Sequence, residues 1–247
     1  MTLIKPTCLL GMSGGTDSSV AAMLLQEQGY EVIGVTFQFW DNAYSAQQLK
    51  DAQSLAKTIG IEHFIYDARN RFKTEIVDYF INEYLVGHTP VPCVKCNNQL
   101  KWQLLFELAE KLNYKTISTG HYCNKIERKG FFHITQGVDP DKDQSFFLWG
   151  LPQAILQKIV FPLGSLTKKN VREIADRKGF KTISTKKDSL GVCFCTKDYR
   201  PFLREQAPQF EFKKGNFIDE NGIVLGTHEG YPFYTIGQRR GLGIHLN

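Results

Sequence analysis

Three features of the amino-acid sequence predict an α/β fold in which a doubly wound parallel sheet carries a small β-rich central domain. Apolar runs of strand length alternate with amphipathic stretches of helix length over residues 8–118. A glycine-rich turn joins the first apolar run to the first amphipathic stretch. From Phe210 onward the pattern changes to frequent glycines and alternating apolar residues.

Taken in order, residues 8–10 read as a buried strand, and residues 18–28 place Val20, Met23, Leu24 and Leu25 on one helical face. Residues 31–39 read as the second strand. Residues 46–59 read as a helix with Leu49, Ala52, Leu55 and Ile59 on one side, and 61–66 as the third strand. An amphipathic stretch at 71–84 precedes a proline and cysteine loop at 88–97; residues 100–112 are helical and 116–118 strand-like. Residues 167–178 look like a capped basic helix, and Glu220, Asn221 and Gly222 mark a hairpin turn. The expected division gives residues 1–165 and 185–205 to the sheet domain, and 166–184 and 206–247 to the small central domain.

A chain of 247 residues with 42% hydrophobic content can bury a full core. The excess of 30 Lys and Arg over 25 Asp and Glu gives +5, which suits a polyanionic partner without requiring one. No secretory signal or stretch of membrane-spanning length is visible, so a cytoplasmic protein is expected, with no membrane partner. Its six cysteines then read as thiols, metal ligands or redox groups before disulfides.

The segment Gly11, Met12, Ser13, Gly14, Gly15, Thr16, Asp17, Ser18 follows a strand and opens a helix, the context of a phosphate-binding loop. Small residues let backbone N–H groups approach an anion, and the helix N-terminus adds partial positive charge. Asp17 repels phosphate unless a cation intervenes, which assigns it to Mg²⁺. A helix cap after a flexible turn is the plain alternative. The whole string resembles the PP-loop of the ATP pyrophosphatases, enzymes that cleave ATP between the α and β phosphates, and it lacks the Lys-Ser/Thr ending of a Walker loop.

Cys93 and Cys96 form a C-x-x-C in a proline-stiffened loop, and Cys193 and Cys195 form a second pair. Extended backbone at the second pair would put both thiols on one face. Three readings stand side by side: a structural zinc site, an iron–sulfur cluster with an open iron, and redox or persulfide chemistry. Cys8 and Cys123 read as core thiols.

Ordered strings from Leu9 to Ile244 decide more: GMSGGTDSS, DAQSLAKTIGI, TPVPCVKCN, STGHY, KDQSFFL, FPLGSLTK, DSLGVCF and YTIGQRRGLGI. In these motifs the chain is similar to bacterial tRNA-specific 2-thiouridylases, which thiolate the wobble uridine of certain tRNAs. The resemblance implies a PP-loop, adenine nucleotide alpha-hydrolase-like fold. It implies ATP as substrate, Mg²⁺, tRNA, and a sulfur-donor protein that carries persulfide. It implies that Cys96 attacks and that Cys193 carries persulfide sulfur, and it assigns Cys195 no role.

The same resemblance gives the ATP contacts to residues 11–18, Phe37 and Gly120, with Phe37 where methionine is expected. It places Val91, Pro92 and Cys93 at the target base, and His121, Lys142, Asp143 and Gln144 near RNA. Cysteine at position 93, where some members carry aspartate, makes Cys93, Cys96 and Cys193 a three-thiolate site for an iron–sulfur cluster. Full-length members continue into a C-terminal β-barrel, expected to be absent from this chain.

Lys168, Lys169, Arg172, Arg177, Lys178, Lys181, Lys186, Lys187, Arg239 and Arg240 punctuate the second half and suit phosphates. For residues 168–178 alone, a solvated helix face is the better reading. Two other functions fit parts of the sequence. A PP-loop amide-forming synthetase would not need the paired cysteines, and a zinc-stabilised RNA-binding module would not release pyrophosphate.

Overall fold

The computed structural model describes residues 5–181, 191–195 and 198–244. Contacts divide the chain into two units, residues 1–73 with 93–189, and residues 74–92 with 190–247.

In the first unit five parallel strands lie in the order β3-β2-β1-β4-β7. They are β1 (Thr7–Gly11), β2 (Glu31–Gln38), β3 (Glu62–Asp67), β4 (Thr116–Thr119) and β7 (Ile159–Val160). Strand order reverses at β1, whose carboxyl end therefore opens a crevice between β2 and β4. Alternation along β1 feeds two cores. Cys8 and Leu10 pack with Val20 and Met23 of helix α1 (Thr16–Glu27), while Leu9 packs with Ile33, Trp102, Leu105 and Ile117 on the other face.

Helix α2 (Ala43–Ile59) begins where the Asn42 side chain accepts the Ser45 N–H, and it ends at Gly60, left-handed at φ 78°. The amphipathic stretch after β3 runs as α3 (Arg69–Phe72), a π segment (Lys73–Val77) and α4 (Asp78–Leu85).

Three features differ from the sequence reading. The cysteine segment is helical: α5 (Pro92–Lys95), a π segment (Cys96–Lys101) and α6 (Trp102–Lys111) follow one another without a break. Pro92 opens that run as a first-turn proline can, because its missing N–H would have had no helical acceptor. Between the fourth and fifth sheet strands stands an unforeseen antiparallel hairpin, β5 (Cys123–Arg128) with β6 (Phe131–Gln136). A 3₁₀ turn (Ser145–Leu148) and α7 (Gln153–Lys158) then lead to β7. Helix α8 (Lys168–Arg177), expected in the small domain, lies in the first unit and buries Val171 and Ala175 in the α1 core.

In the second unit α9 (Tyr199–Gln206) accompanies a hairpin of β8 (Gly215–Ile218) and β9 (Val224–His228). The expected turn is there: Asp219 accepts the N–H groups of Asn221 and Ile223, and Gly222 has φ 80°. An aromatic cluster of Phe80, Phe194 and Phe202 fills the space beside α4, with Tyr84 stacked on Tyr199 at 4.3 Å.

Leu105 is fully buried beneath β1, so Leu105→Ala is expected to lower stability by about 2–5 kcal/mol. Chemical denaturation of the variant against the parent chain checks this.

Candidate functional site

The candidate phosphate loop, residues 11–18, closes the crevice at the end of β1. Met12 N–H donates to Val35 O at 2.8 Å, which fixes the loop entrance to β2. Gly14 is left-handed at φ 69°, and a Cβ there would stand 2.8 Å from both Ala52 N and Gln48 O of α2. Gly15 is the N-cap of α1 and supplies no capping side chain. The Ser18 hydroxyl accepts from Ser13 N–H at 3.3 Å, and the Ser19 hydroxyl donates to Gly15 O. The loop is thus held by serine hydroxyls, and no side chain caps α1.

Gly120 follows β4 and presses on this turn. A Cβ on it would lie 2.7 Å from Ser18 N and 2.8 Å from Asp17 C. Phe37, at the carboxyl end of β2, packs against Phe39 at 5.5 Å and Tyr66 at 6.0 Å, forming an aromatic wall.

Asp17 is engaged within the protein. It accepts the Tyr122 hydroxyl at 2.7 Å, and the Lys168 ammonium reaches both of its oxygens at 2.7 and 2.8 Å. Lys168 therefore departs from the expected solvated face. It shares the buried stripe of α8 with Val171 and Ala175, at helical spacing.

Among the thiols of the first unit, Cys96 is buried and Cys93 half-buried, one helical turn apart. The Asn97 amide donates to Cys93 O, and Lys101 Nζ donates to Asn97 Oδ1. Burial raises the Cys93 thiol above its ordinary pKa, and the Lys101 charge pulls it part of the way back. Cys8 and Cys123 are fully buried, as expected, and burial pushes Cys8 up to about 12. Two residues missed from the sequence matter here. Lys101 is the cation beside Cys93, and Asn98 joins the cysteine helix to the 3₁₀ turn by donating to Phe147 O and accepting Gly150 N–H. In the sequence Lys101 lies in the stretch read as helical at 100–112 and Asn98 just after the cysteine loop, and nothing else marked either.

The KDQ segment is largely turned inward. Asp143 accepts from Gly137 N–H, Ser145 N–H and the Ser145 hydroxyl. Burial opposes ionisation of Asp143, but those donors outweigh it and hold its pKa below the ordinary value. Gln144 Oε1 accepts Tyr122 N–H, while Gln144 N–H donates to Tyr122 O. Lys142 is half-buried. His121 is buried, hydrogen-bonded through Nδ1 to Thr119 Oγ1, with its ring 5.8 Å from Trp102. Burial and the Lys101 charge press its pKa down to about 3, so it is neutral at physiological pH.

In the second unit Val91 is exposed and Pro92 buried. Residues 192–195 form a tight turn closed by Cys195 N–H to Val192 O at 3.1 Å, so the extended backbone that would put both thiols of the second pair on one face is not adopted. Gly191, left-handed at φ 81°, leads the chain into it. Phe194 packs into the aromatic cluster, so Cys193 stands exposed at the corner, while Cys195 Sγ meets Asp198 O at 3.7 Å. Lys186 and Lys187 lie outside the described residues. Of the other basic residues, Lys178 pairs with Glu27. Among the described residues no group of three or more His, Cys, Asp or Glu side chains is placed to hold a metal ion.

Residues 6–197 match the family model of the tRNA methyl transferase HUP domain, and residues 201–247 that of the tRNA methyl transferase PRC-barrel domain. The chain is 57% identical over 239 residues to tRNA-specific 2-thiouridylase MnmA 2 of Phocaeicola vulgatus, covering 97% of this chain and 68% of that protein. It is 54% identical over 249 residues to tRNA-specific 2-thiouridylase MnmA 1 of Bacteroides fragilis, with the same coverages. Among solved structures, the U34-tRNA thiolase NcsA from Methanococcus maripaludis, with its 4Fe-4S cluster, is similar in fold. Its TM-score is 0.51 at 19% identity, over 83% of this chain and 65% of that one.

Gly120→Ala is expected to cost about 1–3 kcal/mol in chemical denaturation, because the backbone it meets cannot move aside. His121 binds a proton in the unfolded chain below pH 6.5 but not in the folded one. Stability should therefore fall as pH drops from 6.5 toward 3, by at most about 1.4 kcal/mol per pH unit from this residue. His121→Asn should flatten that slope in denaturation curves recorded between pH 7 and pH 4.

Proposed function

This chain belongs to the tRNA-specific 2-thiouridylase family, and from that membership we propose that it thiolates the wobble uridine of tRNA in two steps. In the first, the uridine C2 oxygen attacks the α-phosphate of ATP, which enters as its magnesium complex; pyrophosphate leaves and the oxygen carries AMP. In the second, the terminal sulfur of a Cys193 persulfide attacks C2 and AMP departs with the oxygen. Cys96 thiolate then attacks Cys193 Sγ, freeing 2-thiouridine and leaving a Cys96–Cys193 disulfide that a thiol reductant reopens. A persulfide-carrying protein reloads Cys193, and the setting is the cytoplasm.

One observation supports this reading above the others: a single helical run bears Cys93 and Cys96 near its start and Leu105 further on, and Leu105 lies against Gly11 at the mouth of the phosphate loop. A rigid element thus joins the thiols to the nucleotide site. The exposed corner position of Cys193 suits a residue that must be loaded from another protein. Gln144 spends its carbonyl oxygen on Tyr122 and keeps its NH₂ for a base acceptor, and Lys142 beside it suits a phosphate. Neutral His121 would serve RNA by a hydrogen bond, not by charge.

A cluster on Cys93, Cys96 and Cys193 is a second reading, favoured by the second thiol one turn from Cys96. An iron with an open position would bind sulfur.

The test is ATP-dependent transfer of labelled sulfur to undermodified tRNA. Cys96→Ala and Cys193→Ala should each reduce label at uridine to background while ATP binding persists. Transfer that survives both substitutions would refute the proposal, and activity that tracks iron content through anaerobic chelation would favour the cluster.

A further inference from the structure

Lys168 is a buried ammonium, its side chain 11% exposed, and its partner Asp17 lies in the first turn of α1, 32% exposed. A buried charge is costly unless a partner of opposite sign meets it. The pairing spans the unit from the phosphate loop to α8, and three further contacts fix it. Tyr122 donates its hydroxyl to the same carboxylate and turns its ring toward the ammonium at 5.9 Å. Lys168 N–H donates to buried Asp139 at 2.8 Å. Thr167 and Asn170 close a capping box that seats the start of α8.

Asp17 consequently does not fit a direct magnesium ligand: Oδ1 receives Tyr122 and Lys168, and Oδ2 receives Lys168. A carboxylate beside a polyphosphate still needs a cation, and the protein supplies one. We infer that Lys168 is a positioning residue of the nucleotide site, the built-in counter-cation that neutralises Asp17 and lets the phosphate loop accept ATP. This rests on the ATP-dependent reading above.

The consequence is a coupling between the two residues. Lys168→Met leaves the Asp17 charge uncompensated beside the phosphates and should weaken ATP binding about tenfold or more. The double variant Asp17→Asn with Lys168→Met removes that charge as well and should recover most of the lost affinity. Lys168→Arg, which keeps the cation, should bind ATP better than Lys168→Met.

Isothermal titration of the full chain with ATP, repeated across magnesium concentrations and paired with thermal unfolding curves, measures each of these. Recovery in the double variant, with the magnesium dependence of ATP binding unaltered by Asp17→Asn, supports the inference. Losses that simply add, an unchanged affinity in Lys168→Met, or a magnesium requirement that rises in Asp17→Asn would overturn it. Should Lys168→Met fail to fold, the magnesium titration of Asp17→Asn decides alone. A parent chain that binds no ATP would instead sink the ATP reading itself, and the inference with it.

Discussion

The site depends on backbone packed against backbone at the carboxyl end of β1, where side chains are excluded. Gly14 lets α2 approach the phosphate loop, and Gly120 lets the end of β4 rest on the first turn of α1. Strand order reverses at this point, so β2 and β4 diverge and the loop occupies the gap between them. The two apolar cores above and below β1 hold the strands rigidly enough for those approaches to be kept.

Around that constraint the polar groups near the loop are paired with one another. Asp17 goes to Lys168 and Tyr122, Asp139 to Lys168 N–H, Asp143 to Gly137 and Ser145, and Gln144 to Tyr122. Tyr122 lies at the centre, with its hydroxyl on the phosphate loop and its backbone clasped by Gln144. Asn98 then ties the cysteine helix to the turn that follows Gln144. The glycine loop, the cysteine helix and the KDQ segment are therefore parts of one hydrogen-bonded framework.

In the second unit packing does the positioning. Phe194 is drawn into the aromatic cluster with Phe80 and Phe202, and the tight turn that contains it leaves the neighbouring Cys193 outward. Arg204 lies over the stacked pair Phe212 and Phe233, at 4.3 Å from the latter, and steadies the start of the hairpin region.

Local sequence determined much of this protein. The alternation of strand and helix, the glycine loop after β1, the Asn-Gly turn at 221–222 and the core placement of Cys8 and Cys123 follow from periodicity, turn chemistry and hydrophobicity, which act between near neighbours. The helical form of the cysteine segment escaped that reading, because Pro92 reads equally as a loop residue and as the first residue of a helix. The turn at 192–195 escaped it because Phe194 is pulled inward by aromatic partners far away in sequence. Lys168 escaped it most completely. Residues 168–178 read as a solvated helix face, and only the tertiary fold could bury Lys168 beside Val171 and Ala175 and bring to it an acid 151 residues away. A buried charge is tolerated only where a partner of opposite sign meets it, and that meeting is decided by the packing of α8 on α1.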